Sequence, residues 1–314
     1  MSYSEDPADD DCNHNNRSLA AAKHGFNKMY APTGESLGKG TFASVATYRH
    51  RHTLREFAVK VVNILCKQRH EQAMKEIHIC RQHQHCDNIL HLYEFYEEDG
   101  LLYLVFEKID GGDLFEVLSL HGHVSELCAA RVVLGVATAL TSLHSKGIAH
   151  RDIKPENILC VTPAHSHEPH SVKLCDFNLS NDLPELRAVV GSADFMPPEI
   201  VHNRSAKPRR VYDKNCDLWS LGVLLYEMLF GYLPFWVFCG GEKCKVGKLD
   251  PMDCDECKVC TAGAIKLGRF SFPDNARLLV SNSAIDMVKR LIVVDSSARI
   301  SAADILKHPF VCCL

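Results

Sequence analysis

The sequence lacks a strong excess of either charge, since 35 lysines and arginines stand against 39 acidic residues, for a formal net charge of -4. This balance gives no electrostatic reason to expect nucleic acid or an anionic membrane as a partner. The acidic, polar N-terminus also lacks the apolar segment of a secretory signal, so we expect no export. We therefore expect a monomeric intracellular protein, in the cytoplasm, with the nucleus as a second location.

Long uninterrupted apolar runs are lacking as well. The most apolar stretch, residues 221–238, contains Glu227, Gly231 and Pro234, so a buried helix that ends near Gly231 explains it better than a membrane span. Apolar residues make up 46% of the chain and charged residues 24%, which is typical of a globular protein. The chain has 15 cysteines, and without export we expect buried thiols or metal ligands, not disulfides.

The chain changes character near its middle. Residues 1–28 are predicted to be a solvated tail. Strand patterns then predominate as far as Glu107, and helical patterns predominate beyond Gly112. The predicted strands or strand edges are 37–45, 56–62 and 101–107, and the predicted helices are 72–82, 114–120, 125–146, 218–229 and 283–293. Ser125 is the expected N-cap of the longest helix, and Gly147 is expected to close it.

A glycine-rich turn lies in the first predicted strand region. Glycines at 38 and 40 let backbone N–H groups approach phosphate oxygens without interference from a Cβ atom. An ordinary hairpin turn explains the same letters, so the turn alone is weak evidence. The residues that we assign to this turn are Leu37, Gly38, Lys39, Gly40, Thr41, Phe42, Ala43, Ser44 and Val45.

Lys60 ends an apolar strand 15 residues after Val45. A lysine at a strand end is usually a solvated charge, but this distance from the glycine turn suits a cation that binds the α- and β-phosphates of a nucleotide. Such a lysine needs a carboxylate to fix its position. Glu76 on the following helix is the predicted partner, and Glu71 is the fallback.

The strongest signal is the run His150-Arg151-Asp152-Ile153-Lys154-Pro155-Glu156-Asn157. It places a carboxylate, an ammonium group and an amide on one short loop after a helix. This set suits phosphoryl transfer, in which the protein mostly positions groups and stabilises charge. Asp152 is predicted to accept the proton of the acceptor hydroxyl, Lys154 to neutralise the transferred phosphoryl group, and Asn157 to hold magnesium. Lys154 favours serine or threonine over tyrosine as the acceptor.

Two further motifs follow this loop. An apolar strand ends at Asp176, which is predicted to bind the magnesium ion that bridges the β- and γ-phosphates. Farther along, Glu199 follows two prolines, and its expected ion pair with Arg299, buried and structural in role, is implied by the family resemblance given next.

Together these residues resemble the protein kinase family over roughly residues 30–312, and within it the MAP-kinase-interacting serine/threonine kinases. The stretches that carry the narrower likeness are 103–108, 147–160, 191–199 and 212–235. The resemblance implies an α+β bilobal fold, with a small β-rich N-lobe that has one main helix and a larger helical C-lobe. The implied boundaries are about 29–107 for the N-lobe, 108–112 for the hinge and 113–312 for the C-lobe.

The resemblance also implies ATP and Mg²⁺ as cofactors, with Mn²⁺ as an alternative ion, and a protein with a serine or threonine acceptor as substrate. Phe106 is the expected gatekeeper, and the backbones of Glu107 and Ile109 are expected to face the adenine edge. Two interpretations of Asp113 stay open. It either binds a ligand, namely the ribose hydroxyls or a basic residue of the substrate, or it caps the next helix.

Residues 239–260 form a polar, cysteine-rich insertion, which is another feature of the MAP-kinase-interacting group. Thiols in a Cys-x2-Cys pair with a second pair nearby suit tetrahedral zinc. The alternative is free thiols in a loop. By resemblance the predicted ligands are Cys239, Cys244, Cys257 and Cys260, with Cys254 as a substitute.

Control of the activity is where the sequence departs from that group. Its members are switched on by MAP kinases that phosphorylate threonines between the positions of Asp176 and Glu199, but this segment contains only Ser180 and Ser192 as hydroxyl acceptors. We expect no activation by MAP kinase, no docking tail after Leu314 and no basic N-terminal stretch for a translation-initiation scaffold. A translation-initiation factor as substrate rests on the resemblance alone.

Two positions leave room for a different class of function. Ala43 replaces the third glycine of the turn, and Asn178 stands where the family carries glycine and the MAP-kinase-interacting group carries aspartate. Asparagine tolerates positive φ better than most residues, so we expect this turn to form. The alternative, by resemblance to the aspartate of that group, is that the Asn178 side chain favours an inactive turn. The alternative is a catalytically weak pseudokinase that acts as a binding scaffold. Against it, all five polar catalytic positions are filled, by Lys60, Asp152, Lys154, Asn157 and Asp176.

Overall fold

The computed structural model describes residues 25–40, 43–161, 169, 171–182, 186–203, 206, 208–209, 211–235 and 255–313. Their backbone contacts divide the described chain into two units. The first unit comprises 25–65 and 93–106, and the second comprises 66–92 and 107–313. The second unit thus includes residues 66–92, which the predicted lobe boundaries had assigned to the N-lobe.

The first unit contains most of an antiparallel sheet with the strand order β1-β2-β3-β5-β4. Its elements are α1 (Phe26–Met29), β1 (Tyr30–Lys39), β2 (Ala43–His50), β3 (Glu56–Asn63), β4 (Leu92–Glu98) and β5 (Leu101–Glu107). The end residues Leu92 and Glu107 belong to the second unit. Strand β5 has the predicted bounds, whereas β4 was not predicted, because its glutamates and tyrosines interrupt a simple alternating pattern.

Aromatic packing forms the core of the first unit. Phe26 is fully buried and stacks on Tyr103 with ring centroids 4.1 Å apart. The buried side chains around it include Tyr30, Phe57 and Tyr96. Burying several large rings stabilises a small sheet by their apolar area and by ring-edge contacts, so this unit has a hydrophobic core of its own.

The second unit is mostly helical. Its elements are α2 (Lys67–Gln82), α3 (Leu114–His121), α4 (Glu126–Ser145), β6 (Ile148–Ala149), β7 (Ile158–Cys160), β8 (Val172–Leu174), β9 (Asn181–Asp182), α5 (Pro198–Asn203), α6 (Cys216–Phe230), α7 (Asp255–Leu267), α8 (Ala276–Leu279), α9 (Asn282–Leu291), α10 (Ala302–Ile305) and α11 (Pro309–Cys312). A β-rich first unit and a mostly helical second unit agree with the α+β fold that the resemblance implies.

Helices α4 and α6 form the buried centre of the second unit. The Ser125 hydroxyl caps α4 by accepting a hydrogen bond from the Cys128 amide at 3.2 Å, as predicted. Helix α4 is long and apolar enough to cross a membrane, but 67% of that stretch is buried inside the protein, which is typical of a core helix. In α6, a Cβ atom on Gly222 would lie 2.7 Å from Leu291, so this glycine allows α9 to pack closely.

Three predicted bounds need correction. Residues 25–28 do not belong to the predicted solvated tail 1–28, because Phe26 is fully buried on α1 and is part of the core of the first unit. Helix α2 begins at Lys67, five residues before the predicted start. The prediction missed these residues because the polar first turn has no apolar periodicity. The end of the cysteine-rich segment was predicted to be a polar loop, but α7 begins at Asp255 and includes Cys257 and Cys260.

Candidate active site

The glycine-rich turn joins β1 and β2 in the first unit. Gly38 is in register with Val45, and the Gly40 amide donates to the Ala43 carbonyl at 2.9 Å. A Cβ atom on Gly38 would meet nothing within 4 Å, so the space beside this strand is open. Backbone exposed in this way is what a phosphate needs for close approach. Thr41 and Phe42 lie outside the described residues.

Lys60 lies on β3 directly opposite Val45 of β2. The strand register therefore places the lysine one strand away from the glycine-rich turn, as the sequence spacing predicted. Phe106, the predicted gatekeeper, is 5% exposed near the end of β5. Glu76 is buried on α2 of the second unit, so its pairing with Lys60 of the first unit stays a prediction. The fallback Glu71 forms an exposed ion pair with Lys67 at 3.7 Å.

Asp217 at the start of α6 holds the catalytic loop in the second unit. Its fully buried carboxylate accepts hydrogen bonds from the amides of His150 at 2.9 Å and Arg151 at 2.7 Å. The His144 imidazole makes a third contact at 2.9 Å. Burial raises the pKa of Asp217, but these hydrogen bonds and the neighbouring imidazoles outweigh burial and bring the pKa below its usual value. The carboxylate therefore stays ionised and fixes the backbone before Asp152.

The three predicted groups of the catalytic loop meet at the Asp152 carboxylate. The Lys154 ammonium lies 3.2 Å from Asp152 Oδ2, and the Asn157 amide nitrogen lies 3.0 Å from the same oxygen. On the other oxygen, Oδ1, both the amide and the hydroxyl of Ser192 donate at 3.0 Å. Donors on both oxygens orient the carboxylate, which is the requirement for a group that aims a substrate hydroxyl.

The strand that ends at Asp176 is fastened to the catalytic loop. Strands β7 and β8 form an antiparallel pair, and the Cys175 amide donates to the Asn157 carbonyl at 3.0 Å. Phe177 is buried, and its ring packs edge-on against the His150 ring at 5.2 Å. These contacts place the segment of Asp176 beside the loop of Asn157, as a magnesium site shared by the two side chains would require.

The turn after Asp176 differs from the expectation for Asn178. The residue with positive φ is Asp176, at 61°, while Asn178 lies within a 3-10 turn over Phe177–Leu179 and has no positive φ. The tolerance of asparagine for positive φ is therefore not what allows this turn. Because Asn178 has no positive φ, its position does not require a glycine, and asparagine is accepted without left-handed backbone strain.

Asn157 and Asp176 fit the chemistry of magnesium. Both supply side-chain oxygens, which Mg²⁺ prefers. The Asn157 nitrogen is directed at Asp152, by bonds of 2.8 Å to its carbonyl and 3.0 Å to its carboxylate, so that Asn157 Oδ1 is the atom suited to a metal. When bound, the ion would neutralise charge on the phosphate oxygens.

The residues after Phe106 support only part of the predicted adenine contacts. The Glu107 amide donates to the His91 carbonyl at 3.0 Å, and its side chain accepts from the His91 amide at 2.8 Å. The carbonyl of Glu107 is thus the backbone group suited to adenine. Ile109 is half-buried, and its contact with adenine stays a prediction. Asp113 caps α3 by accepting from the Glu116 amide at 2.9 Å, which confirms the capping alternative.

The predicted structural ion pair is confirmed. Arg299 binds both carboxylate oxygens of Glu199, at 2.7 and 2.8 Å. The pair joins α5 to the segment before α10 and has no direct contact with Asp152 in the described structure. Its role is to hold the end of the activation segment, which we define as residues 176–199.

The predicted zinc ligands are only partly described. Cys239, Cys244 and Cys254 lie outside the described residues. Cys257 is buried and Cys260 is exposed on α7. Within the part of the chain that the structure describes, no group of three or more histidine, cysteine or acidic side chains is placed to hold a metal ion. Zinc therefore stays a prediction.

Three contributors to the site were not assigned by sequence reasoning, namely Asp217, Ser192 and Tyr212, whose hydroxyl accepts a hydrogen bond from Arg151 at 3.2 Å. An acidic residue that opens an apolar, buried helix is a signal for Asp217, since such a carboxylate needs buried donors. No comparable signal exists for Tyr212, whose contacts with the activation segment depend on the fold.

Comparison with known proteins agrees with this geometry. The family model described as "Protein kinase domain" matches residues 32–311. The chain is 39% identical over 299 residues to MAP kinase-interacting serine/threonine-protein kinase 2 of Xenopus laevis, with coverage of 91% of this chain and 62% of the relative. It is 39% identical over 303 residues to MAP kinase-interacting serine/threonine-protein kinase 1 of Xenopus tropicalis, with coverage of 91% and 69%.

A more distant relative gives the same answer. The MAP kinase-interacting serine/threonine-protein kinase mnk-1 of Caenorhabditis elegans is 36% identical over 304 residues, with coverage of 92% of this chain and 42% of the relative. The chain thus spans between two fifths and about two thirds of the length of these relatives. With the matched domain and the assembled catalytic loop, these likenesses show that the chain belongs to the protein kinase family.

Proposed function

We propose that this chain transfers the γ-phosphoryl group of ATP to a serine or threonine hydroxyl of a protein. The observation that carries the proposal is the Asp152 carboxylate, which is oriented on one oxygen by Lys154 and Asn157 and on the other by Ser192. Relatives at 36 to 39% identity are named as serine/threonine-protein kinases, which supports the acceptor type.

The reaction assigns each group a step. Asp152 accepts a hydrogen bond from the substrate hydroxyl and takes its proton as the oxygen bonds to the γ-phosphorus. The bond between the γ-phosphorus and the β–γ bridging oxygen breaks, and ADP leaves with that electron pair. Lys154, which already lies 3.2 Å from Asp152, places a positive charge where the transferred group is negative. Lys60 and the glycine-rich turn are assigned to the phosphates, and Asn157 and Asp176 to Mg²⁺.

The test is magnesium-dependent phosphate transfer from ATP to a generic basic peptide, with Asp152→Asn and Asp152→Ala as variants. Loss of a positioned general base costs roughly 10²- to 10⁴-fold in kcat, while nucleotide affinity should persist. Asp152→Asn keeps the size of the side chain and serves as the variant with the smaller structural change. Equal transfer by the wild-type protein and both variants would favour the scaffold alternative, which no contact in the described structure supports.

The substrate and the upstream control are proposed more narrowly. The likeness to MAP kinase-interacting kinases makes a translation-initiation factor the first protein substrate to test, by comparing its phosphorylation rate with that of the generic peptide. Because the activation segment has no threonine, we propose that a MAP kinase leaves the activity unchanged. A large activation after treatment with an active MAP kinase would refute this proposal.

A structural zinc ion is also proposed, on the cysteine spacing of residues 239–260. Metal analysis of protein purified without chelators should find about one zinc per chain if four thiolates bind it. Cys239→Ser and Cys257→Ser should each remove the metal, while Cys66→Ser, at an exposed cysteine just before α2, should keep it. Zinc absent from the wild-type protein would overturn the assignment.

A further inference from the structure

The Arg151 side chain extends from the catalytic loop to the activation segment and to Tyr212, which lies after that segment in the sequence. Its Nε donates to the Leu179 carbonyl at 2.6 Å, and its Nη1 donates to the Tyr212 hydroxyl at 3.2 Å. The residue has a φ of 70°, and its amide is held by Asp217. The guanidinium therefore leaves the loop in a fixed direction and meets neutral oxygens, where a phosphate would be the usual strong partner of an arginine.

Tyr212 connects this guanidinium to the segment. Its hydroxyl accepts from Arg151 and donates to the Ala188 carbonyl at 2.8 Å. Its own amide donates to the Leu186 carbonyl at 2.9 Å, in an isolated antiparallel bridge. Tyr212 is 5% exposed and Leu186 is fully buried. One residue thus holds the segment at two carbonyls, one through the main chain and one through the side chain.

The protonation state of this hydroxyl suits its role as donor. Burial raises the pKa of Tyr212 above its usual value, although the neighbouring Arg151 acts in the opposite direction. The phenol consequently keeps its proton near neutral pH and remains able to donate to Ala188.

The held part of the segment leads directly to the catalytic carboxylate. Gly191, three residues after Ala188, has a φ of 101°, and a Cβ atom there would lie 2.5 Å from the Arg151 carbonyl. The next residue, Ser192, donates twice to Asp152. Residues 188–192 are therefore fixed at one end by Tyr212 and at the other by Asp152, with close backbone packing between them.

The hydroxyls available for regulatory phosphorylation are already engaged. Ser180 is 3% exposed and its hydroxyl donates to the His150 carbonyl at 3.3 Å. Ser192 is the donor to Asp152, so a phosphate there would bring negative charge against the carboxylate. Between Asp176 and Glu199 the sequence offers no threonine or tyrosine.

We propose that the Tyr212 hydroxyl is a positioning group that ties the activation segment to Arg151 in place of a phosphate, so that the catalytic loop is ordered without phosphorylation of the segment. This inference rests on the proposed kinase function and names how that site is controlled. The bond from the Arg151 guanidinium to the uncharged Tyr212 hydroxyl and the bond from that hydroxyl to the Ala188 carbonyl are each weaker than an arginine–phosphate pair. Burial of Tyr212 and the backbone bridge to Leu186 compensate, because they exclude competing water.

The test uses the full chain after phosphatase treatment, with the absence of phosphate checked by mass spectrometry. Tyr212→Phe keeps the ring and removes only the hydroxyl. The kcat should fall roughly tenfold, because two buried hydrogen bonds are lost, while the KM for ATP should change by less than about twofold. The Tyr212 amide and the amides of residues 186–192 should exchange hydrogen about tenfold faster than in the wild-type protein.

Tyr226→Phe is the matched control. Tyr226 is also buried, and its hydroxyl donates to a backbone carbonyl, that of Ser271, at 2.8 Å. This change should lower thermal stability by a similar amount but leave kcat and the exchange of residues 186–192 unchanged. Equal losses of kcat in Tyr212→Phe and Tyr226→Phe would mean a general stabilising role and would overturn the proposal.

The wild-type protein supplies the second measurement, so the proposal stays testable even if Tyr212→Phe does not fold. Its kcat after phosphatase treatment should lie within about twofold of the untreated value, and a larger loss would overturn the proposal. An unchanged kcat in folded, phosphate-free Tyr212→Phe would overturn it as well. If the wild-type protein transfers no phosphate at all, the proposed function fails, whereas the exchange of residues 186–192 still reports on the tie.

Discussion

Replacing Glu199 with glutamine is expected to destabilise the second unit strongly, because it leaves a buried guanidinium without its counter-charge. The Arg299 side chain is fully buried, while that of Glu199 is 21% exposed. Arg299 also donates to the carbonyls of Val293 and Asn215, both at 2.8 Å, and its guanidinium lies 5.3 Å from the Trp219 ring. The arginine therefore has no route to solvent when the carboxylate is removed.

The size of the effect follows from this geometry. Breaking a buried ion pair by removing one partner costs about 3–5 kcal/mol. The partial exposure of Glu199 and the hydrogen-bond acceptor that glutamine retains place the cost near the lower end, at about 3 kcal/mol. For a chain of this size, about 2 °C of melting temperature is lost per kcal/mol, which gives a shift of roughly 6 °C. Arg299→Met should cost more, because several backbone carbonyls then lose their donor as well.

Urea denaturation and thermal melting, followed by circular dichroism, measure both changes. Lys307→Ala is the control, since it removes an exposed ion pair. The Lys307 side chain is 76% exposed and that of its partner Asp304 is 59% exposed. Exposed pairs contribute little to stability, so its midpoint should match that of the wild-type protein. If Glu199→Gln shifts the midpoint no more than Lys307→Ala does, the reasoning about the buried pair is wrong.

Three further changes test other contacts. Asp217→Asn should lower kcat by about 10²-fold with little change in substrate KM, because an amide cannot accept from both loop amides and the His144 ring at once, and steady-state kinetics would show it. Burial raises the pKa of Glu227 from 4.5 to about 7, so the folded state binds this proton more tightly and stability should fall as pH rises between those values. Urea midpoints across that range should decline less steeply in Glu227→Gln. Gly191→Ala should reduce both melting temperature and kcat, since its φ is 101° and its Cβ would lie 2.5 Å from the Arg151 carbonyl. Gly263→Ala, where a Cβ meets nothing within 4 Å, should do neither.

Local chemistry was predictable wherever function is written in consecutive residues. Asp152, Lys154 and Asn157 lie within six residues on one loop, so their convergence on one carboxylate follows from chain geometry. The pairing of Glu199 with Arg299 spans 100 residues and was predictable from the resemblance alone. The bounds of β5 and α4 followed from apolar runs with clear ends.

What the sequence left hidden depends on contacts between distant segments. The start of α2 carries no apolar periodicity, and its first turn is polar, with Lys67 and Gln68 exposed. Tyr212 and Arg151 are 61 residues apart in the sequence, so their contact could not be predicted without the fold that brings them together. The positive φ at Asp176, instead of at Asn178, was not predictable from local propensity, because aspartate and asparagine both tolerate this conformation.

The catalytic loop illustrates how a strained local structure depends on a distant residue. A positive φ of 70° at Arg151 costs about 1–3 kcal/mol for a residue with a Cβ atom. The two amide hydrogen bonds to buried Asp217 offset this cost, because an ionised carboxylate in a dry interior requires donors and the amides of His150 and Arg151 supply them. The strained backbone and the buried carboxylate would each be unfavourable alone, and the hydrogen bonds between them stabilise both. The same strained residue then directs its side chain to Leu179 and Tyr212, so the backbone that presents Asp152 and the side chain that holds the activation segment belong to one residue. A change that relaxes φ at Arg151 must therefore disturb both the catalytic carboxylate and the segment that orients it.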